Sequence, residues 1–592
     1  MNKEAIERDG LKTVNDLLHK LNGWPVLEGI TWNESGFEWK DVMYKFRKLG
    51  LSYDQLFDVY VGVNVLNTSR LIIKIDQSYL GLNREYLVKG LDNKIVQAYY
   101  DYLVDLAVIF GADKLTAEKE IRDALEFEIN LAKMGLLKEN RRNITALTNP
   151  MTIEEMQERF PSIPWQKYLG NLANDPNLEL TPSTVTNVAV PDYLVKLEKL
   201  LKATPKRVQA NYLLYRILID LVTYLTQELR DRELQYSKVV DGISEHKPRW
   251  RKCVKIASQR LQFASGGLYV RRYFSENAKK AAEELVASLK KTFIEMLKRV
   301  DWMDEKTRRE AIEKAEVMNA HVAYAQELLD DTKLTKYYSK LNSTADTFME
   351  FAMAVRNFLD DVDFEELPRP YNRSDWSHRS FIGSVDAYYN ILENSLELPA
   401  GILQSPFFSI DRPNYMNYGS IGYVIGHEIT HGFDDEGSQH DKRGSARNWW
   451  AEDTKRSFNQ KAQCIIDQYG NYTAPEVNKH LNGVATLGEN IADNGGVKES
   501  YLAYEEWVKV NGEESRLPNL KYSPKQLFWI SIANFWCKKI KTEALEQIIV
   551  TNVHAPPNFR ILGSLSNSEL FSTDFGCPVG SKMNPVHKCQ VW

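Results

Sequence analysis

The sequence lacks any stretch of 18 or more residues free of charged side chains, which is about the length that a transmembrane helix needs. Its most apolar segment, residues 212–225, is interrupted by Arg216 and Asp220. The first residues are polar and do not form the apolar core of a signal peptide. Taken alone, these absences predict a chain with neither a membrane span nor a secretion signal.

An excess of basic side chains is also missing. The formal net charge is −5 and the isoelectric point is near 6.2. The clearest basic stretch, residues 246–252, is short and is typical of a solvated surface. We therefore expect no nucleic-acid partner and no direct binding to an anionic membrane.

Cysteine is scarce, with 5 residues and no Cys-x-x-Cys pair. An odd number is poorly suited to a disulfide framework, and the absence of close pairs argues against a cysteine-rich zinc site. Asn-x-Ser/Thr patterns support secretion only weakly, because they arise easily by chance. They begin at Asn33, Asn67, Asn143, Asn342, Asn372 and Asn471.

What the sequence does contain is length and helical periodicity. At 592 residues the chain is too long to fold around one compact core. Apolar residues at three- and four-residue steps predict helices at 275–300, with Ser275 as N-cap, and at 304–318. Short β-branched runs predict strands at 71–76 and 185–190. The fold class is therefore mainly α with small β elements.

The composition changes once along the chain. Residues 363–385, which are charged and contain prolines near their start, predict a linker or crossover. They separate a mostly helical region, residues 1–362, from residues 386–592, where proline and glycine punctuate the apolar segments.

The strongest chemical signal is a His-Glu-x-x-His pattern, residues 427–431, within a helical run at 421–433 that Gly437 is predicted to cap. Two His four positions apart share one helix face and can bind one metal ion. Glu428 between them can serve as a general base. A surface helix that carries two His by chance is the alternative.

A zinc hydrolase needs three protein ligands and one open position for water. In residues 487–493, a predicted second short helix, Glu489 and Asp493 share a face. We assign Glu489 as the third ligand and Asp493 as a carboxylate that orients a His. Asp434, three residues after His431, is better placed to support that His than to bind the metal. Without the upstream motif, a solvated face would be the preferred interpretation of both carboxylates.

A loop with His554 and Arg560 is a weaker candidate. His554 could donate to an oxyanion, and Arg560 could hold a substrate carbonyl or carboxylate. A lone His and a lone Arg in a proline-containing loop are more often structural, so the pattern leaves both roles open.

Together these motifs resemble the neprilysin and endothelin-converting-enzyme family of zinc metalloendopeptidases. The resemblance extends from near the start of the chain to its last residue and is densest from Asp386 onward. The segments that carry it are 398–404, 426–435, 487–496, His554 with Arg560, and 589–592.

The resemblance implies one zinc ion per chain, bound by His427, His431 and Glu489, with Glu428 as the catalytic base. The implied fold has two lobes, a thermolysin-like zinc catalytic lobe and a helical cap lobe, which enclose a central cavity that admits only peptides. The implied function is endopeptidase cleavage of extracellular oligopeptides, with a large apolar residue preferred after the cleaved bond.

The resemblance assigns further roles. Asp493 would assist catalysis, His554 would stabilise the oxyanion, and Arg560 would hold the substrate backbone. The residues implied to line the apolar pocket for the side chain after the cleaved bond are Ile402, Phe407, Tyr423, Val424, Phe535 and Trp536.

One motif departs from the family. Its Asn-Ala-x-Tyr substrate clamp is Asp386-Ala387-Tyr388-Tyr389 here. An ionised Asp only accepts hydrogen bonds, whereas Asn also donates. We therefore predict weaker peptide binding than an Asp386→Asn variant would show. The departure keeps a second hypothesis open, a catalytically weak or silent ectodomain that binds peptides, although the intact zinc motif argues against it.

The family pattern also implies a disulfide between Cys464 and Cys589. Family members begin with a cytoplasmic tail, a membrane anchor and a first ectodomain segment, so the expectation is a chain that starts inside a type II ectodomain. Its location would be the extracellular face of the plasma membrane or, for a secreted form, the extracellular space. The cysteines expected to pair with cysteines of that missing segment are Cys253, Cys537 and Cys577.

Overall fold

The computed structural model describes residues 3–341 and 344–592 of the chain. Helices account for 60% and strands for 7% of it, which confirms a mainly α fold with small β elements. Buried apolar side chains form two clusters, one centred on residues 14–240 and the other on residues 263–592. We call these the first and the second lobe.

The first lobe is built around two long crossing helices. On one of them Tyr215 donates a hydrogen bond of 2.7 Å to the buried carboxylate of Glu128 on the other. The helices of this lobe are α1 (Lys3–Asp9), α2 (Lys12–Lys20), α3 (Pro25–Glu28), α4 (Trp39–Leu49), α5 (Arg84–Leu87), α6 (Lys94–Ile109), α7 (Lys114–Met134), α8 (Ile144–Leu147), α9 (Ile153–Arg159), α10 (Trp165–Ala173), α11 (Pro191–Ala203), α12 (Lys206–Leu221) and α13 (Gln227–Asp241).

A four-stranded sheet with the order β1-β2-β4-β3 completes the first lobe. Both predicted strands are confirmed, because β2 and β4 occupy the predicted positions and pair in parallel. The strands are β1 (Phe57–Val63), β2 (Leu71–Gln77), β3 (Pro150–Thr152) and β4 (Val185–Val188).

The second lobe is again mostly helical. Its helices, with those that connect the lobes, are α14 (Arg249–Arg260), α15 (Gln262–Tyr273), α16 (Glu276–Arg299), α17 (Glu305–Val317), α18 (Asp331–Tyr337), α19 (Phe348–Glu366), α20 (Asn414–Asn417), α21 (Tyr423–His431), α22 (Glu452–Gly470), α23 (Leu487–Asn511), α24 (Pro524–Phe535), α25 (Thr542–Thr551), α26 (Pro557–Asn567) and α27 (Glu569–Asp574). Its strands are β5 (Asn319–Ala323), β6 (Tyr388–Asn390), β7 (Ser395–Pro399), β8 (Thr473–Ala474) and β9 (Lys479–His480).

The two helices predicted from periodicity are confirmed as α16 and α17. Ser275 caps α16 by accepting a hydrogen bond from the Ala278 N–H at 3.2 Å. The buried face of α16 contacts the residues after α21, with the rings of Phe293 and Phe433 4.8 Å apart. The sequence periodicity thus identified the face that supports the centre of the second lobe.

The first core is not formed by one uninterrupted stretch of the chain. The second core begins at Phe263, well before residue 362. The helix α19 spans residue 362 and places Met349 and Phe364 in the first core. A helix buries its apolar face against whichever apolar surface is available, so a helix late in the chain can complete an earlier core.

The disulfide between Cys464 and Cys589 is confirmed and ties the chain end to α22. Cys537 and Cys577 form no disulfide with any residue that the structure describes. Within residues 3–341 and 344–592, no helix combines the length and the apolar character needed to span a membrane.

Candidate active site

The His-Glu-x-x-His motif lies on α21, which continues directly from a π-helical turn, Tyr418–Gly422. This turn packs closely against α24. A Cβ on Gly419 would lie only 2.3 Å from the carbonyl oxygen of Phe528 in that helix. The missing Cβ of Gly419 lets the two helices approach, and π-helical turns are frequent at functional sites. The predicted helix is therefore confirmed, although it ends at His431 and not at Phe433.

The end of α21 is held by a buried lysine and not by the predicted glycine cap. Lys314 of α17 donates to the carbonyl oxygens of Gly432 at 2.7 Å, Gly437 at 2.7 Å and His440 at 2.8 Å. Burial lowers the pKa of Lys314 to about 7. Within the last turn, the carbonyl oxygens of Ile429 and Thr430 accept from the N–H groups of Gly432 and Phe433, so no left-handed glycine is needed there. The prediction for Gly437 is therefore wrong; this residue begins a separate 3₁₀ turn, Gly437–Gln439.

Helix α23 crosses α21 at very short range. A Cβ on Gly496 would lie 2.6 Å from the backbone nitrogen of His427, and one on Gly426 would lie 2.9 Å from Gly496 Cα. The short helix predicted at 487–493 is in fact the start of α23, which runs to Asn511. The prediction was too short because close packing on α21 outweighs the low helix propensity of adjacent glycines.

This crossing brings the three predicted ligands together. His427 Nε2 and His431 Nε2 are 3.0 Å apart, and Glu489 Oε2 lies 3.2 Å from the first and 3.5 Å from the second. Ligands about 2.0–2.1 Å from a tetrahedral zinc ion lie roughly 3.3–3.4 Å from one another. The three distances therefore fit the edges of a zinc coordination tetrahedron.

The protonation of the two rings also fits a cation. His427 Nδ1 lies 2.9 Å from Asp493 Oδ1, and His431 Nδ1 lies 2.8 Å from Asp434 Oδ2. Because an ionised carboxylate only accepts, each Nδ1 donates, and in the neutral form that binds a metal each ring directs the lone pair of Nε2 into the site. The buried Glu489 Oε2 accepts no hydrogen bond of normal geometry from the described residues. These electron-rich atoms repel one another unless a cation lies between them.

Asp493 is the most extensively bonded carboxylate of the site. Besides His427, it accepts from the Tyr423 hydroxyl and from Arg560, whose Nε lies 2.7 Å from Oδ2. Burial opposes its ionisation, but the charge and hydrogen bonds of Arg560 outweigh burial and hold the pKa of Asp493 well below its usual range. Asp493 therefore stays ionised and fixes the orientation of His427.

Asp434 supports His431 in the same way. Its Oδ1 accepts from the backbone N–H groups of Glu436 at 2.8 Å and Gly437 at 2.7 Å. Burial opposes the charge here too, but the hydrogen bond with His431 outweighs it, and the pKa of Asp434 is lowered. The supporting role predicted for Asp434 matches this geometry.

Glu428 lies beside the ligand group and is only 7% exposed. Burial raises the pKa of its carboxyl, against the opposite effect of His427 and His431. A carboxylate whose pKa is raised toward neutral pH is a stronger proton acceptor than an exposed carboxylate.

A cavity of about 840 Å³ opens onto Glu428 and the three ligands. Its volume is in the range of about 300–1,000 Å³ found for ligand sites. Every residue that lines it lies between Val385 and Arg560. The lining includes all residues predicted to contact substrate, namely Asp386, Ala387, Ile402, Phe407, Tyr423, Val424, Phe535, Trp536 and Arg560.

His554 also lines this cavity, with its Nε2 3.0 Å from Glu489 Oε2. Asn552, which the sequence did not suggest, orients the ring. Its Oδ1 accepts from the His554 backbone N–H at 2.9 Å and lies 3.0 Å from the ring Nδ1. The structure thus brings His554 close to Glu489, which lies 65 positions earlier in the sequence.

Three further hydrogen bonds were missed by reasoning from the sequence. Tyr423 was expected only as an apolar wall, but its hydroxyl bonds Asp493 and accepts from Trp536 Nε1 at 3.2 Å. The four-residue spacing from Tyr423 to His427 was the signal that could have indicated this contact. Thr430 donates to the buried Glu499 at 2.7 Å beneath α21, and no local pattern indicates that pair.

Comparisons with known proteins identify relatives along the whole chain. Two models of peptidase family M13 match residues 1–325 and 386–591. Neprilysin-2 of Drosophila melanogaster is 44% identical over 604 aligned positions, which cover 100% of this chain and 78% of that protein. Endothelin-converting enzyme 1 of Bos taurus is 36% identical over 596 positions, with 100% and 78% covered.

Solved structures show the same fold. The zinc metalloprotease Zmp1 of Mycobacterium tuberculosis, in complex with an inhibitor, superposes with a TM-score of 0.87 at 26% identity. The match covers 97% of this chain and 84% of that one. PepO of Lactobacillus rhamnosis superposes with a TM-score of 0.81 at 22% identity, covering 98% and 86%, and supports the fold alone.

Proposed function

The chain belongs to peptidase family M13, and from this membership we propose that it binds one zinc ion through His427, His431 and Glu489 and cleaves extracellular oligopeptides. Membership makes it a zinc-dependent metalloendopeptidase with peptide substrates. The observation that carries the residue assignment is the convergence of the three ligand atoms within 4.8 Å at the cavity wall. We also propose residues 386–592 as the catalytic region, 363–385 as the crossover and 1–362 as the helical cap region.

When bound, zinc supplies Lewis-acid chemistry, which polarises the substrate carbonyl and lowers the pKa of water to about 7. Glu428 accepts the proton of the attacking water and delivers it to the nitrogen of the leaving amine. Asp493 and Asp434 keep the two His rings in the tautomer that directs Nε2 into the site.

We assign His554 and Arg560 to the substrate. His554 donates to the oxygen that becomes negatively charged as the carbonyl is attacked, a contact worth about 3–4 kcal/mol where it has been measured in other enzymes. Arg560 lies on the cavity wall and stacks on Trp536, with its guanidinium carbon 4.0 Å from the ring centroid. From there it can bind a backbone carbonyl or a terminal carboxylate.

The preference for a large apolar residue after the cleaved bond rests on the aromatic part of the cavity. The rings of Phe407 and Phe535 are 4.9 Å apart, and Phe535 and Trp536 are 5.0 Å apart. Burying an apolar side chain against such a surface contributes about 1.5–3 kcal/mol.

An extracellular location is supported by the disulfide, because such bonds persist in oxidising compartments. Asn342 lies outside the described residues. The other Asn-x-Ser/Thr asparagines are all exposed, as glycosylation requires, and they are Asn33, Asn67, Asn143, Asn372 and Asn471.

Metal removal tests the proposed function. We expect hydrolysis of a quenched peptide that carries Phe after the cleaved bond, loss of this activity to background with a zinc chelator, and recovery on adding zinc. A silent peptide-binding ectodomain would bind the peptide without cleaving it under any of these conditions. Cleavage that persists in chelator-treated, zinc-free protein would contradict the zinc mechanism.

A second experiment concerns the substrate clamp. Asp386 is exposed on the cavity wall, and its Oδ1 accepts from the Ala387 N–H at 3.0 Å. In Asp386→Asn the side chain can also donate, and one added hydrogen bond should lower KM about 2–10-fold. Asp411→Asn, a change at another exposed position, should leave KM unaltered. Equal KM values for Asp386→Asn and the unaltered protein would contradict the prediction.

A further inference from the structure

One segment of the first lobe contacts the loops that orient active-site side chains of the second lobe. It consists of residues 138–144 and contains a 3₁₀ turn, Glu139–Arg142. We call it the bridging segment. It does not line the substrate cavity, so its contacts with the site are indirect.

Arg142 makes the strongest of these contacts. Its Nε and Nη2 donate to the two carboxylate oxygens of Asp435 at 2.5 and 2.7 Å, and Nη1 lies 3.2 Å from Glu436. The side chains of Arg142 and Asp435 are only 17% and 18% exposed. Asp435 directly follows Asp434, the residue that orients His431.

Arg142 also packs against the start of α23. A Cβ on Gly488 would lie 2.2 Å from Arg142 Nη2, and the next residue is the ligand Glu489. The guanidinium therefore lies between the segment that supports His431 and the helix turn that carries Glu489. Any side chain at position 488 would require the guanidinium to move.

The rest of the bridging segment reinforces this position. Gln439, just after α21, donates to the Arg142 carbonyl oxygen at 2.8 Å and accepts from the Ile144 N–H at 3.0 Å. Lys138 donates to the carbonyl oxygen of Thr551. Thr551 precedes Asn552, the residue that orients His554.

The bridging segment is fastened to its own lobe as well. Arg141 donates to both carboxylate oxygens of Asp76 on β2, at 3.0 and 2.5 Å. Adjacent arginines thus face opposite lobes, Arg141 toward the sheet of the first and Arg142 toward the zinc site of the second. A shift of one lobe relative to the other must strain or break one of these two ion pairs.

We propose that Arg142 is a positioning residue, which couples the approach of the first lobe to the arrangement of His431 and Glu489. This inference rests on the proposed zinc function. Without the guanidinium, Asp435 and Glu436 lose a cationic partner next to the negative charge of Asp434. The loop then relaxes, and the supports of both ligands shift together.

The expected effects follow from misplacement of the ligands. Changes in groups that support metal ligands typically cost about 10–100-fold in metal affinity or activity. Arg142 acts one residue further away, so we expect Arg142→Gln to lower kcat about tenfold and to speed zinc release about tenfold. The cavity wall itself is unchanged, so KM should stay within about threefold.

The experiment compares three variants in the full chain. Arg142→Gln should show the effects above, and Arg142→Lys should lie between it and the unaltered protein, because Lys keeps the charge but not the bidentate geometry. Arg207→Gln is the matched control. Arg207 pairs with Glu120 at 2.8 Å within the first lobe, with a comparable exposure of 29%. Its loss should leave kcat and zinc release unaltered.

Zinc release is followed by the rate at which a colorimetric chelator gains the metal, and kcat by peptide cleavage. Equal zinc-release rates for Arg142→Gln and Arg207→Gln would overturn the inference. If Arg142→Gln does not fold, Arg142→Asp is compared with the charge-exchanged variant Arg142→Asp/Asp435→Arg. Slower zinc release from the double variant than from Arg142→Asp supports the coupling. Equal zinc release from these two variants overturns it. If the unaltered protein cleaves no peptide, the proposed function fails, but the zinc-release comparison still tests the coupling.

Discussion

Replacing Glu428 by Gln is expected to lower kcat about 10²–10⁴-fold, the range found for the loss of a general acid or base. Gln has the same shape but does not accept a proton at neutral pH. Glu428 is 7% exposed, and burial raises the pKa of its carboxyl, which suits a base that works near neutrality. The measurement is peptide cleavage at saturating substrate, together with the zinc content of the purified variant.

Glu436→Gln is the matched control, because Glu436 lines the same cavity and burial raises its pKa to about 7. The Glu436 side chain is 35% exposed, and its ion pair is a single contact of 3.2 Å with one arginine nitrogen. Partly exposed pairs of this kind contribute little, so Glu436→Gln should change kcat less than about fivefold. If Glu428→Gln retained zinc and more than a tenth of the activity, Glu428 would not be the base. Loss of zinc from Glu428→Gln would also contradict this role.

The second large effect is expected for Asp493→Ala. Arg560 and His427 both bond this fully buried carboxylate, and its removal leaves the guanidinium, which is 5% exposed, with only the more distant carboxylate of Glu489 at 3.9 Å among the described residues. Breaking a buried ion pair from one side costs about 3–5 kcal/mol. We expect the free energy of unfolding of the second lobe to fall by that amount, measured by denaturant titration of the zinc-free protein.

The matched variant is Asp493→Ala/Arg560→Met, which removes both charges. It should be more stable than Asp493→Ala, because an uncharged pair does not require a compensating partner in the interior. Peptide cleavage should remain low in both variants, since His427 has lost its acceptor in each and the double variant also lacks Arg560. A stability of Asp493→Ala within about 1 kcal/mol of the unaltered protein would show that the ion pair is not a major stabilising contact.

Local periodicity was sufficient for the regular elements. The apolar spacing from Ser275 onward identified α16, and the β-branched run at 71–76 identified β2. It was not sufficient for the boundaries set by tertiary contacts. The segment after α21 is bonded by Lys314, which lies more than a hundred positions earlier, and α23 continues through glycines that look like a stop in isolation.

The site was predicted unevenly for the same reason. His427, Glu428 and His431 lie within about one helical turn, and their spacing alone places them on the same side of the helix. The bond between Arg142 and Asp435 joins residues 293 positions apart, and no spacing rule connects them. The bonds of Asp493 to Arg560 and to the Tyr423 hydroxyl join residues 67 and 70 positions apart.

By itself, the sequence determined the chemical identity of the ligand atoms, the helix face that carries two of them and, through the family resemblance, the third. It also determined the apolar faces that form the two cores. Only the tertiary structure decided how far Glu489 lies from the His pair, which proton each ring carries, and how strongly Glu428 is desolvated. The physical reason is that helical spacing acts over a few residues, whereas distances between helices, and the burial that shifts each pKa, depend on packing between distant segments.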